Sequence, residues 1–263
     1  MQELLEFAEK TARKAGNQLM KSFGNVRSED FKTADSIVTE ADLAAENLIR
    51  RAITRNYPDH RILGEEEGLD HGGAEFTWVL DPIDGTTNFA RGVPLFGVSI
   101  ALFQHRKPVA GVIYDPVRKA CYTAGKDQPS ACNGLPIHVS SRGLGPTTIC
   151  AFGTNWEQPG RKSIPQRIIK RFKGRNFGSS VLHLVWVADG SLEFNLAENL
   201  KLWDIAAAGF IVVQAGGRMT TLDGKAFFPL KHDFEYYAEH QVDYLASNGK
   251  VHRNVLKDIV ASS

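Results

Sequence analysis

The chain has 263 residues, 43% of them hydrophobic and 23% charged, a balance that suits a folded unit with a large apolar core and excludes a disordered or fibrous chain. At about 150 residues per domain the length fits one large unit or two smaller ones. Lys plus Arg number 31 against 30 Asp plus Glu, and a formal net charge of +1 argues against a globally basic nucleic-acid binder.

In chain order, Leu4, Leu5, Ala8, Ala12, Ala15, Leu19, Met20 and Phe23 recur at helical spacing and predict an opening amphipathic helix that ends near Gly24. Thr39 with Asp42 resembles a capping box for a second helix, whose stripe of Leu43, Leu48, Ile49 and Ile53 stops before Pro58. Arg61–Leu63 reads as a short strand leading into Gly64. The period then changes, and Phe76–Leu80, Phe96–Phe103, Val109–Tyr114 and Ala120–Ala124 predict a largely antiparallel sheet. Thr147–Phe152 starts a second sheet, followed by helices over Pro165–Phe172 and Ser179–Ala188 and a strand over Leu192–Asn195. A helix from Trp203 to about Ala215 is apolar nearly all round and must be buried, and Tyr244–Ala246 and Val251–Val260 close the chain as strand and helix.

The even charge total hides two uneven windows. Glu65–Asp84 holds seven carboxylates and no Lys or Arg, whereas Arg161–Arg175 holds seven cations and no acid. The basic window also carries Ile168, Ile169 and Phe172, so it reads first as an amphipathic helix with a solvated basic face. Steering of anionic substrates, or docking of RNA or an acidic protein, is the alternative. Three cysteines, Cys121, Cys132 and Cys150, make no C-x-x-C pair; they read as small buried apolar residues in a reducing compartment. Acids run through the first residues, and no apolar run reaches the roughly 18 residues of a membrane span. A cytoplasmic protein without membrane contact is the expectation.

Three acidic features carry the chemistry. Glu65–Glu67 follows a strand, and adjacent carboxylates there repel unless solvent or a cation offsets them; a solvated acidic loop is the plain alternative. Pro82 presets a turn in Asp81-Pro82-Ile83-Asp84, so that both aspartates and the Ile83 carbonyl can fall on one side as hard ligands of the kind Mg²⁺ prefers. Gly85-Thr86 reads as the entry to a short helix whose backbone N–H groups suit a phosphate; an Asx-type turn capping that helix is the alternative. Asp204, beside Trp203 at the start of a buried helix, either compensates the helix dipole or coordinates a metal. His183 reads as a packed or hydrogen-bonded histidine, because no second His or Cys lies at metal spacing.

Together V-T-E-A-D (Val38–Asp42), G-E-E (Gly64–Glu66), W-V-L-D-P-I-D-G-T-T-N-F (Trp78–Phe89) and W-D-I-A-A-A-G (Trp203–Gly209) resemble, in kind and order, the inositol monophosphatase family. These are Mg²⁺-dependent, Li⁺-sensitive phosphatases that also include fructose-1,6-bisphosphatases and 3′-phosphoadenosine-5′-phosphate phosphatases. The resemblance implies an α+β fold, the layered α-β-α-β-α sandwich of the sugar phosphatases. Its halves would cover about 1–145 and about 146–263, with the metal site where they meet. It further implies that Glu65, Asp81 and the Ile83 carbonyl hold one Mg²⁺, that Asp81, Asp84 and Asp204 hold a second, and that a weaker third lies near Glu65. Thr86, backed by Asp42, would position a water whose proton Glu65 helps to take, and the backbone N–H groups of Gly85 and Thr86 would grip the phosphate.

The expected activity is phosphomonoester hydrolysis on a small phosphorylated metabolite, with inositol-1-phosphate as first guess, in a protein that pairs as a homodimer. One departure bears on substrate. The glutamate that contacts the inositol ring in animal enzymes lies seven residues before the W-D aspartate, where this chain has Ala197, and Glu198 follows one residue later. Asp84, Gly85, Thr86, Glu198 and Asp204 are therefore the expected substrate contacts, and histidinol phosphate, fructose-1,6-bisphosphate, 3′-phosphoadenosine 5′-phosphate and NADP⁺ stay open as substrates. Lys32 corresponds to a family lysine near the metal site.

Overall fold

The computed structural model describes residues 1–24, 29–33, 36–71, 73–153 and 163–260. Helix α1 (Gln2–Leu19) buries Leu5, Ala8, Ala12, Ala15 and Leu19. It stops short of Gly24 because Lys21 and Ser22 bond back three residues, to Gln18 and Leu19, tightening the last turn until the chain leaves the helix. A hairpin of β1 (Glu29–Thr33) and β2 (Ser36–Thr39) leads into α2 (Glu40–Asn56). The side chains of Lys32 and Thr39 lie outside what is described.

The next strands are β3 (His60–Gly64), β4 (Gly68–Leu69), β5 (Gly73–Asp84), β6 (Gly97–Gln104), β7 (Lys107–Asp115), β8 (Ala120–Gly125), β9 (Gln128–Cys132) and β10 (Leu135–Pro136), with the short helix α3 (Thr86–Ala90) after β5. They form one sheet in the order β10-β9-β8-β7-β6-β5-β3-β4. Every pairing is antiparallel except β3 with β5.

The second sheet collects β11 (Ile149–Gly153), β12 (Lys173–Arg175), β13 (Phe194–Leu200), β14 (Arg218–Thr220) and β15 (Val242–Ser247) in the order β12-β11-β13-β15-β14. Its helices are α4 (Ser163–Arg171), α5 (Ser180–Ala188), α6 (Ala206–Gln214), α7 (Phe234–Glu239) and α8 (His252–Val255), the last continued by a π-helical turn over Leu256–Val260.

Burial explains the stacking. α1 and α2 cover one face of the first sheet through Leu5, Ile49, Trp78 and Ile100. The other face, with Leu63, Val79, Phe103 and Ile113, shares a core with α5 and α6 and with Ala151, Ala197 and Tyr244 of the second sheet. α4 and α8 close the far face through Ile164, Ile168, Leu245 and Val255. This is the expected α-β-α-β-α sandwich, and the all-round apolar character of α5 and α6 follows from having a sheet on both sides.

Candidate metal centre

The site begins at paired strand ends. β3 and β5 run parallel with Gly64 opposite Leu80, so the next residues, Glu65 just past the end of β3 and Asp81 near the end of β5, fall side by side. Residues three apart on a regular strand face opposite ways. Asp81 and Asp84 escape that rule because β5 and β6 lose register between them: Asp81 pairs with Ser99 and Asp84 with Gly97, leaving Pro82 and Ile83 against Val98 alone. The extra residue turns both carboxylates to one side.

Asp204 joins from the second sheet. The helix expected from Trp203 starts at Ala206, because Ile205 and Ala206 both bond back to Leu202 in a tight turn. Asp204 therefore sits in the turn before the helix, where its Oδ2 accepts from Lys201 N at 2.9 Å. Carboxylate oxygens of Asp81, Asp84 and Asp204 all lie within 4.8 Å of one another.

Three acids at that separation repel, and the protein supplies little to offset them. Burial raises the pKa of Asp81, with the charges of Glu65, Asp84, Asp204 and Asp42 adding to it. Burial likewise raises Asp204, helped by Glu65 and Asp84, while the Lys201 N–H and ammonium work the other way. Asp84 is pushed up to about 6 by burial, although hydrogen bonds from Ser179, Val181 and Ser180 favour its charged form. Asp81 Oδ1 is buried with no hydrogen-bond partner among the described residues. An orphaned buried oxygen inside a cluster of hard donors fits a divalent cation, which would supply the missing charge and coordination.

Asp84 is the most firmly held. It accepts from Ser179 Oγ, from Ser180 N at 3.1 Å and from Val181 N at 3.2 Å, so the first turn of α5 grips it. Ser179 also caps that helix by accepting from Leu182 N. The sequence marks Ser179 as a helix start, but nothing local links it to an aspartate 95 positions away. Tyr244 is a second residue that sequence reasoning missed. It is fully buried, and its phenol pKa is raised by burial and by the charges of Asp84 and Asp204.

Past Asp84 the backbone turns at Gly85, whose φ is +96°, a conformation that favours glycine. A Cβ there would also meet Leu95 O at 2.9 Å and Gly178 O at 3.2 Å. Thr86 follows, with Oγ1 2.9 Å from Ile83 O and 3.3 Å from Asp42 Oδ2. Its single hydroxyl proton serves one of these acceptors at a time. The Thr86–Asp42 contact is thus present, with Asp42 buried in the first turn of α2. Glu65 lies outside the three-acid cluster, within reach of its field. Glu198 is buried in the bulge of β13, where the register with β15 shifts between Ala197 and Leu200.

Other expectations concern residues away from the centre. His183 is buried and accepts from Phe177 N at 2.9 Å, and burial pushes its pKa down to about 3; it is a packed, neutral histidine. Cys121 and Cys150 are buried thiols pushed up to about 12 by burial, and Cys132, half-buried, is raised for the same reason. α4 buries Ile164 and Ile168 and ties Arg167 to Ile259 O at 2.6 Å, leaving Lys170, Lys173 and Arg175 exposed. Arg161 and Lys162 lie outside the described residues. No described helix is long and apolar enough to cross a membrane.

Known proteins share this plan. The chain is 35% identical over 234 residues to the Nus factor SuhB of Pasteurella multocida, covering 85% of this chain and 87% of that protein. It is 30% identical over 272 residues to the chloroplastic phosphatase IMPL1 of Arabidopsis thaliana, covering 99% and 71%. The structure superposes on the Thermotoga maritima IMPase with a TM-score of 0.86 at 31% identity, covering 98% and 97% of the two chains. Residues 1–262 match the family model described as Inositol monophosphatase family. With that match over nearly its whole length, and with a three-acid cluster at its centre that resembles a divalent-metal site, the chain belongs to the inositol monophosphatase family.

Proposed function

We propose that the protein is a Mg²⁺-dependent phosphomonoesterase acting on a small polyol or sugar phosphate, with inositol-1-phosphate the first substrate to try. The convergence of Asp81, Asp84 and Asp204 within 4.8 Å carries this reading, because three clustered carboxylates, two of them buried and only Asp204 eased by a cation, Lys201, are costly in any other role. Glu65, Asp81 and the Ile83 carbonyl would hold one Mg²⁺, Asp81, Asp84 and Asp204 a second, and a third would bind more weakly near Glu65. Bound Mg²⁺ supplies an acidified water and offsets charge on the leaving oxygen.

The chain's own residues do the rest. Thr86 accepts a hydrogen bond from the attacking water while its own hydroxyl donates a hydrogen bond to Asp42, so it positions the water without losing its proton. Glu65 takes the proton that the water loses. Backbone N–H groups of Gly85 and Thr86 face the phosphoryl oxygens, and Asp84, Asp204 and Glu198 meet the substrate hydroxyls. The same reading includes Li⁺ inhibition, a homodimer, a cytoplasmic location and halves divided near residue 145. The test is phosphate release with and without Mg²⁺ and Li⁺, on inositol-1-phosphate, fructose-1,6-bisphosphate, histidinol phosphate, 3′-phosphoadenosine 5′-phosphate and NADP⁺. Asp84→Asn and Asp204→Asn should abolish Mg²⁺-dependent release while leaving the fold intact; near-normal turnover in either rejects the assignment. The exposed Lys170, Lys173 and Arg175 support a second reading, a regulatory contact with RNA or an acidic protein, which labelled RNA binding in moderate salt would check.

A further inference from the structure

We propose that Glu46 and Arg50 of α2 are the positioning pair for Glu65, fixing where its carboxylate stands relative to Asp81 and Thr86. This rests on the reading of Glu65 as a metal ligand. The turn from Gly64 to Gly68 carries three consecutive acids, and their mutual repulsion favours splaying the turn open. What holds it is a buried carboxylate. Glu46, with no exposed surface, accepts from Glu66 N on Oε2 at 2.9 Å and from Glu67 N on Oε1 at 3.0 Å. Arg50 Nε donates to the same Oε1 at 2.8 Å, and its Nη2 donates to Gly68 O at 2.6 Å. The peptides on the C-terminal side of Glu65 are thus tied to one helix, while β3 fixes the chain on the N-terminal side.

Two further observations point the same way. A Cβ on Gly64 would run into Glu46 Oε1 and come 2.8 Å from Arg50 Nη2, so the glycine is what lets the pair approach the strand end. Asp42, Glu46 and Arg50 also recur every four residues, on one stripe of α2. The first contacts Thr86 and the other two hold the turn of Glu65. One rigid helix therefore sets the spacing between the two groups assigned to the attacking water. A buried ion pair is weak grounds for stability, since well-packed apolar residues often serve as well; its use here is geometric.

The test compares wild type with Glu46→Gln, Arg50→Lys and Gly64→Ala after removal of metal by chelation. Tight Mn²⁺ binding is followed by electron paramagnetic resonance, beside phosphate release titrated with Mg²⁺. Glu46→Gln is expected to weaken the tightest Mn²⁺ binding, and to raise the Mg²⁺ concentration at half-maximal rate, by about tenfold or more, as for other residues that orient metal ligands. The rate at saturating Mg²⁺ should fall far less. Arg50→Lys keeps the charge but loses the fork to Gly68 O, and should show the same split; Gly64→Ala should show it more strongly. Arg50→Lys decides the matter if Glu46→Gln does not fold. Native melting with unchanged Mn²⁺ affinity in these variants overturns the proposal, as does a fall in saturated rate alone. Wild type that binds no Mn²⁺ and releases phosphate without Mg²⁺ instead overturns the metal-centre reading, and this proposal with it.

Discussion

Replacing Asp81 by Asn should make the metal-free protein more stable while destroying its activity. Asp84 sets the scale: its pKa stands at about 6 against 3.8 for the free group, a difference worth roughly 3 kcal/mol. Because the folded value lies above the unfolded one, the native state suffers no penalty below pH 3.8. The penalty grows as pH rises through about 6 and is complete above it. Asp81 is raised in the same direction, and its charge also repels Glu65, Asp84 and Asp204. Neutralising it removes its own desolvation and relieves three neighbours.

At about 2 °C per kcal/mol for a chain of this size, the variant should melt about 6 °C or more above wild type in EDTA at pH 8. The gap should narrow toward pH 5, where the wild-type carboxylates protonate. Millimolar Mg²⁺ should raise the melting point of wild type much more than that of the variant. Differential scanning calorimetry at both pH values, with and without Mg²⁺, reads all of this. A variant that melts with or below wild type in EDTA at pH 8 would refute the view that the cluster is an unoffset buried charge.

Other outcomes follow from the same geometry. Gly85→Ala puts a side chain at φ +96° against two carbonyl oxygens; it should cost about 1–2 kcal/mol in urea unfolding from the backbone alone and lower kcat/KM about 100-fold by displacing the turn. Ser179→Ala removes the α5 cap and a donor to Asp84, so it should lose about 1 kcal/mol. It should also raise the Asp84 pKa further, so that the Mg²⁺ requirement worsens more at pH 6.5 than at pH 8; an equal change at both pH values counts against the hydroxyl's role. His183, depressed to about 3 by burial, contributes stability that is present above pH 6.5 and is lost as pH falls toward 3. His183→Gln keeps an acceptor for Phe177 N and should shrink the loss between pH 6.5 and pH 4 by about 3 kcal/mol, read by urea titration at each pH.

The elements with strong periodicity were legible in the sequence, and the deviations share a cause. β6, β7 and β8 fall within a residue or two of their predicted spans because apolar runs bounded by turn residues leave little choice. β9 and β10 went unforeseen: Gln128–Cys132 and Leu135–Pro136 are short and carry no alternation, and they are strands because β8 offers β9 an edge and β9 in turn offers one to β10. β13 lies later than expected, at Phe194–Leu200, since the polar pair Glu198-Asn199 occupies a bulge that local pattern cannot reveal. At the site, the order D-P-I-D disclosed a turn, but the lost register with β6 that aligns its two acids depends on a partner strand. Ser179, Glu46 and Arg50 each act on residues far away in the chain, and their types alone carried no such message.

Asp81 and Asp84 end a strand of one sheet, whereas Asp204 follows a strand of the other. Their repulsion therefore acts across the boundary between the two layers. Without a counter-ion the cluster works as a wedge, and with one it becomes a clamp, so a cation that binds only the closed arrangement also damps the opening of that boundary. Slow amide exchange along β5 and β13 should then track Mg²⁺ concentration, making the breathing of the sandwich a reporter of ion binding at the cluster.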